Sequence, residues 1–289
     1  MEMEMYKALN YWVYGGFDGQ KTPREFIDFA AAEKLDGVEL TVGDALLVDI
    51  TEDECRAIAD YAQAKGVGLR TLATGMYGGM SLGAANETER RQAIDFTRKY
   101  LQIAAWMGVK TILVIPGSTC VAWAPERPIV SYGTVWKKST ESLKELLPLA
   151  EKLGVTIALE NVWTRFLFSP MEWKFFLEQF DSPNVGMYFD VGNCAIYVKP
   201  QDYVEMLGDR IKAVHLKNFQ GEDCGGKLHG FGEDLLKGDV DMKAVVQAFA
   251  KIGYQGAFTV EMIPFSRLPE APVPDAALAA KMAAQLRTL

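Results

Sequence analysis

Residues 185–193 read "VGMYFDVGN", and the first six of them decide the fold. The run Val185 to Asp190 is nonpolar at odd and even positions alike until its end, so it reads as a strand buried on both faces. Strands of that kind belong to parallel sheets covered by helices. This one nevertheless ends in a carboxylate. A bare carboxylate at the end of a core strand is costly to desolvate unless something pairs with it.

Working outward, the same kind of run recurs along the chain. Short β-rich stretches fall at 7–14, 35–40, 66–74, 108–117, 154–161, 185–190, 211–219 and 254–264. Amphipathic, helix-like stretches separate them, and Pro23 stands at the first helical position after Thr22. Several joins have one form: "AKGVGL" (64–69), "WMGVKTIL" (106–113) and "EKLGVTIAL" (151–159) each put glycine at a helix end and a β-branched run directly after it. Eight strands alternating with eight helices, without a long linker, predict one closed (β/α)8 TIM barrel of the α/β class, a single domain over 1–289. No GxGxxG follows the first strand, so no NAD site is expected.

Composition narrows the class further. The chain has 289 residues, 49% hydrophobic and 24% charged, with a net charge of −8. That balance fits a globular enzyme with a large core and argues against nucleic acid as a partner. The N-terminal "MEMEMYKALNYWVYGG" has acids where a signal peptide carries basic residues, and no run approaches a membrane span. Cys55, Cys120, Cys194 and Cys224 form no CxxC pair and read as reduced thiols of a cytoplasmic protein. Only two histidines exist, His215 and His229.

In a barrel of this kind the chemistry sits at the C-terminal ends of the strands. "TIALE" ends at Glu160, "GMYFD" at Asp190, "IKAVH" at His215 and "AFTVE" at Glu261. Successive parallel strands set these ends side by side, although 30, 25 and 46 residues separate them along the chain. Three carboxylates and an imidazole crowded in a low-dielectric mouth call for a cation. Mostly oxygen ligands with one nitrogen suit Mn²⁺ first, with Mg²⁺, Zn²⁺ or Co²⁺ as alternatives. Asp190 is expected to face a metal ion.

The segments "ALENVW", "YFDVGN", "VHLKNF" and "TVEM", in this order and spacing, resemble the xylose isomerase-like sugar phosphate isomerase/epimerase superfamily. The similarity spans the whole chain and is greatest to the ketose 3-epimerase branch, which includes L-xylulose- and L-ribulose-5-phosphate 3-epimerase-like proteins. It implies that Glu160, Asp190, His215 and Glu261 are metal ligands and that the two glutamates also transfer protons. In that chemistry a metal-stabilised enediolate forms beside a ketone, with one carboxylate on each face. Epimerases of the D-tagatose/D-psicose type typically carry a histidine three residues after the aspartate and an acid six after the first glutamate. Asn193 and Phe166 stand there instead, which points toward a phosphorylated ketopentose.

Further residues are expected around the substrate. Lys217 shares the interior side with His215 by period-2 alternation. Asn193 either binds substrate or fixes the turn after its strand. Glu39, at the end of "GVEL", either orients His215 or Lys217 from behind or caps a loop. Trp12, Trp163 and Phe166 read as an apolar wall or as core, Arg267 as a phosphate contact or a surface arginine, and His229 as part of a glycine-rich loop. "GMYGGMSLG" (75–83) reads as a mobile active-site loop. Trp106 and Trp173 on barrel helices either permit a homodimer or homotetramer or are buried in the core. The same ligands equally serve aldose–ketose isomerisation, hydroxypyruvate isomerisation or inosose dehydration. A non-catalytic sugar binder and an endonuclease IV-like nuclease are the alternatives of other classes; two histidines and a charge of −8 disfavour the nuclease.

Overall fold

In the computed structural model, residues 5–222, 227–263 and 274–289 are described. The strands are β1 (Tyr6–Asn10), β2 (Gly37–Val42), β3 (Thr71–Thr74), β4 (Thr111–Val114), β5 (Thr156–Glu160), β6 (Val185–Asp190), β7 (Ile211–Leu216), β8 (Gln220–Glu222), β9 (Lys227–Gly230) and β10 (Ala257–Val260). Eight of them close a parallel barrel in the order β1–β2–β3–β4–β5–β6–β7–β10, and β10 pairs back onto β1. The helices are α1 (Tyr11–Gly15), α2 (Pro23–Ala32), α3 (Glu52–Ala64), α4 (Glu87–Trp106), α5 (Tyr132–Leu153), α6 (Pro170–Leu177), α7 (Pro200–Leu207), α8 (Met242–Lys251) and α9 (Ala276–Leu286). None of them is long and apolar enough to cross a membrane among the described residues.

Local chemistry starts the helices where the sequence indicates. Thr22, Thr51 and Ser169 each accept a hydrogen bond from the N–H three residues on, and Glu25, Glu54 and Glu172 return one, closing capping boxes on α2, α3 and α6. Gly154 ends α5 at φ 62°, a left-handed conformation that leaves Val155 free to start the next strand direction. All six residues of β6 are buried, as expected of a strand covered on both faces.

Two expectations need revision. The first strand stops at Asn10, because the Asn10 side chain accepts the Trp12 N–H at 2.8 Å and turns the chain into α1. Trp12 and Tyr14 are therefore helical, and the run 7–14 is strand only in its first half. The glycine-rich segment after β7 carries an antiparallel hairpin, β8–β9, outside the strict alternation. Of the two readings of Trp173 the core one holds: it is fully buried, with its indole N–H donating to Leu167 O at 2.9 Å. Trp106 packs half-buried against the core. Cys55 and Cys194 are buried, Cys120 is half-buried, and all three are free; Cys224 lies outside the described residues.

Candidate functional site

Glu160 and Asp190 are the last residues of β5 and β6, His215 is the penultimate residue of β7, and Glu261 follows β10 directly. Strand register aligns them: Asp190 lies opposite His215, His215 opposite Thr259, and the Glu261 N–H continues the ladder to Leu216 O at 3.0 Å. One ligand atom from each of the four lies within 4.8 Å of the others, and all four residues are buried.

Two supports hold the group from below. His215 Nε2 is 2.6 Å from Glu39 Oε1, which also accepts the Asn10 amide at 2.8 Å, while the Tyr188 hydroxyl donates to Glu39 Oε2. The ring is thereby fixed with Nδ1 facing Glu160 at 3.6 Å and Glu261 at 3.5 Å, and Nδ1 has no hydrogen-bond partner. The second support is the "DVGN" turn. Asp190 Oδ1 accepts the N–H groups of Gly192 at 2.9 Å and Asn193 at 2.8 Å. A Cβ on Gly192 would sit 2.6 Å from Lys217 O, so glycine is what lets this turn close against the end of β7. Asn161 continues the β5–β6 pairing with its side chain, bonding both the N–H and the carbonyl of Asp190 at 2.8 Å.

Asp190 Oδ2 also lacks a hydrogen bond. Its neighbour is the Lys217 ammonium, an ion pair at 2.9 Å whose angle falls short of one; Lys217 pairs with Glu261 as well. Two buried polar atoms that make no hydrogen bond, Nδ1 and Oδ2, thus belong to one cluster with two carboxylates. That is the donor set of a divalent cation site, and the residues fit such an ion.

The electrostatics agree. Burial, together with the nearby charges of Glu261 and Asp190, outweighs the pull of His215 and raises the Glu160 carboxyl to about 7. Burial opposes a charged His215 imidazole, but the Glu261 and Glu39 carboxylates prevail and raise it well above the ordinary histidine value. Burial likewise opposes the Glu39 carboxylate, and His215 prevails to lower it.

Beside this cluster opens a cavity of ≈ 230 Å³ lined by Glu160, Glu261, Lys217 and Trp12, among others. The sequence-selected residues divide around it. Lys217 and Trp12 reach it, and Glu39 lies beneath, fully buried against His215. Trp163 stands behind Phe231, with ring centroids 5.3 Å apart, and lines a second cavity of ≈ 180 Å³ with Asn193. The Asn193 amide donates to Asn161 O at 3.0 Å, so this donor serves the turn. Phe166 packs among Tyr132, Trp136 and Phe176. The 75–83 segment places Gly75 in the cavity wall but is tied down by Arg127, whose guanidinium donates to Gly78 O at 2.8 Å, and by the buried Tyr77. Arg267 lies outside the described residues; His229 falls in β9, with its side chain undescribed.

Sequence reasoning missed Asn10, Asn161 and Tyr188 as supports. Tyr188 was within reach of it, because alternation puts it on the same side of β6 as Asp190.

Residues 27–288 match the family described as xylose isomerase-like TIM barrel. The chain belongs to that family. Family relatives include L-ribulose-5-phosphate 3-epimerase UlaE of Escherichia coli O1:K1 / APEC, 23% identical over 260 residues, covering 88% of this chain and 86% of that protein. Fructoselysine 3-epimerase of Escherichia coli O157:H7 is 23% identical over 216 residues, covering 73% of this chain and 72% of that one. Among solved structures, D-psicose 3-epimerase from Clostridium cellulolyticum H10, with D-tagatose, superposes with a TM-score of 0.80 over 98% of each chain at 17% identity. That last likeness confirms the family fold.

Proposed function

We propose that this family member, an enzyme of the isomerase class, is a divalent-metal-dependent 3-epimerase of a ketose or ketose phosphate. The observation that carries the reading is the placement of Glu160 and Glu261. Their strands, β5 and β10, are separated on the rim by β6 and β7, yet both carboxylates line one cavity beside Asp190 and His215. Glu160, Asp190, His215 and Glu261 hold the cation, Mn²⁺ in the first instance. When bound, the cation supplies positive charge against the oxyanion that forms as a proton leaves the carbon beside the carbonyl. One glutamate removes the C3 proton and the other returns a proton from the opposite side of the flattened enediolate. Lys217 balances the carboxylates and is placed to donate to a substrate oxygen. Relatives named as epimerases of an L-ribulose phosphate and of fructoselysine support the reaction type.

The test is carbon-bound hydrogen exchange in D2O with the Mn²⁺-loaded protein and a panel of ketopentoses, ketohexoses and their phosphates. Deuterium is expected at C3, with an inverted product. Exchange at C1 instead would make the protein an aldose–ketose isomerase. No exchange on any sugar would remove the epimerase reading and raise hydroxypyruvate, keto-inositol or purely binding roles.

Metal binding is expected to depend on pH. A ligand must lose its proton before it can bind the ion. At pH 6, below the Glu160 value of about 7, both Glu160 and His215 carry protons, so Mn²⁺ binding releases close to two. At pH 8 Glu160 is ionised and no longer contributes a proton, so release falls. Affinity therefore climbs steeply up to about pH 7 and less steeply above it. Calorimetry in buffers of different ionisation enthalpy counts these protons; a count near zero at both pH values would show that the site is not the one described.

A further inference from the structure

Lys217 follows β7 directly, on the same side as His215, and lines the cavity with Glu160 and Glu261. Its ammonium is 2.9 Å from Asp190 Oδ2 and pairs with Glu261 as well. The strands that bring those two carboxylates, β6 and β10, lie on either side of β7. One cation therefore sits against two of the four ligand residues, with only 8% of its side chain exposed.

The position is held from several directions. The turn at Gly192 packs so closely on Lys217 that an added Cβ would come within 2.6 Å of its carbonyl oxygen. Leu216, the residue before it, accepts the Glu261 N–H at 3.0 Å. The ammonium also lies 4.9 Å from the centroid of the Phe231 ring.

A buried ammonium touching two ligand carboxylates acts on any ion those carboxylates hold. It offsets part of their charge, and it repels the ion. Three carboxylates on their own attract an ion in proportion to its charge, and so favour a trivalent ion over a divalent one. The lysine works against that trend, because its repulsion costs a trivalent ion half as much again as a divalent ion in the same place.

We propose that Lys217 sets the charge selectivity of the cation site, holding it to divalent ions against trivalent ions that seek the same oxygen ligands. This rests on the metal site and not on the epimerisation step, since it concerns which ion the four residues hold.

The test displaces Mn²⁺ from the loaded full chain with Lu³⁺, an oxygen-seeking trivalent ion of similar size. Released Mn²⁺ is counted by electron paramagnetic resonance, which gives the ratio of the two affinities. Lu³⁺ held elsewhere on the acidic surface releases no Mn²⁺, and parent and variants share that surface. Both ions meet the same ligands in the same protonation state, so the ratio cancels general damage to the site and isolates charge. In Lys217→Met and Lys217→Gln the ratio is expected to move toward Lu³⁺ by at least about tenfold, because unit charges a few ångström apart interact by more than RT even at a high effective dielectric. Lys217→Arg keeps the charge and is expected to stay within about threefold of the parent. Removing the partner of two buried carboxylates strains the fold, so every variant is prepared and kept in Mn²⁺; Lys217→Gln still donates a hydrogen bond and is the milder change.

A ratio within about threefold of the parent in both neutral variants, or one that moves toward Mn²⁺, overturns the proposal and leaves the metal site and the epimerase reading standing. An equal shift in Lys217→Arg overturns it too, since charge is then not the cause. A parent that binds no Mn²⁺ removes the site itself, and both readings with it.

Discussion

With Glu160→Gln or Glu261→Gln, net epimerisation is expected to fall at least about 10³-fold, within the range assigned to a positioned acid or base. The two losses are not mirror copies of an inert protein. If one carboxylate serves each side of the substrate, each variant still strips the proton from one epimer but fails to return a proton on the far side. Glu160→Gln is then expected to exchange deuterium into one epimer without inverting it, and Glu261→Gln into the other. Full inverting activity in both variants would remove their proton-transfer role. Both residues also ligate the cation in this reading, so exchange is measured at saturating Mn²⁺ with metal content determined alongside. For Glu160→Gln, the metal-free site crowds the residue with like charges, and a neutral amide there is expected to leave the melting temperature unchanged or raise it.

The residues that carry this prediction were legible because a barrel converts sequence position into spatial level. "TIALE", "GMYFD", "IKAVH" and "AFTVE" each end in a ligand-capable residue, and parallel register brings those ends to one rim. Lys217 followed from period-2 alternation, whereas Glu39 was expected at the end of its strand and is the third of the six residues of β2. What escaped the reading is of another physical kind. Asn10 breaks a continuous apolar run by one side-chain hydrogen bond to Trp12 N–H, an event without periodicity. Asn161 acts as a piece of backbone, completing the pairing at Asp190, and its residue type alone does not announce that use. Phe17, Trp123 and Phe231 are far apart in sequence and lie in connections with no repeating pattern, so their convergence appears only when the barrel closes. Trp173 stood open between an assembly surface and the core, and the structure puts it in the core; Met171 and Phe175 are the exposed apolar residues of the same helix, at 63% and 60%.

Glu39 carries the second large prediction because three partners converge on it in a site without water access. Its oxygens hold His215 Nε2, the Asn10 amide and the Tyr188 hydroxyl, and every one of these groups is buried. Glu39→Ala strands all three and is expected to cost about 3–5 kcal/mol of stability, the usual penalty for removing one side of a buried charged pair, read by denaturant unfolding. Glu39→Gln keeps the volume but not the charge. Its amide oxygen can still accept as Oε1 does from His215 and Asn10, yet its NH2 turns a donor toward the Tyr188 hydroxyl, which already donates there. Mn²⁺ affinity is expected to fall about 10–100-fold, the typical effect of losing the group behind a metal-bound histidine. A purely structural role would produce a loss of that size only through local disorder, so the proton count decides between the two. The Glu39 carboxylate helps hold the His215 imidazole protonated in the metal-free protein. Without that charge His215 loses its proton more readily, and Mn²⁺ binding should release fewer protons than in the parent at the same pH. Unchanged affinity and an unchanged proton count in Glu39→Gln would mean that Asn10 and Tyr188 suffice to hold the ring, and that the carboxylate does not tune the ligand.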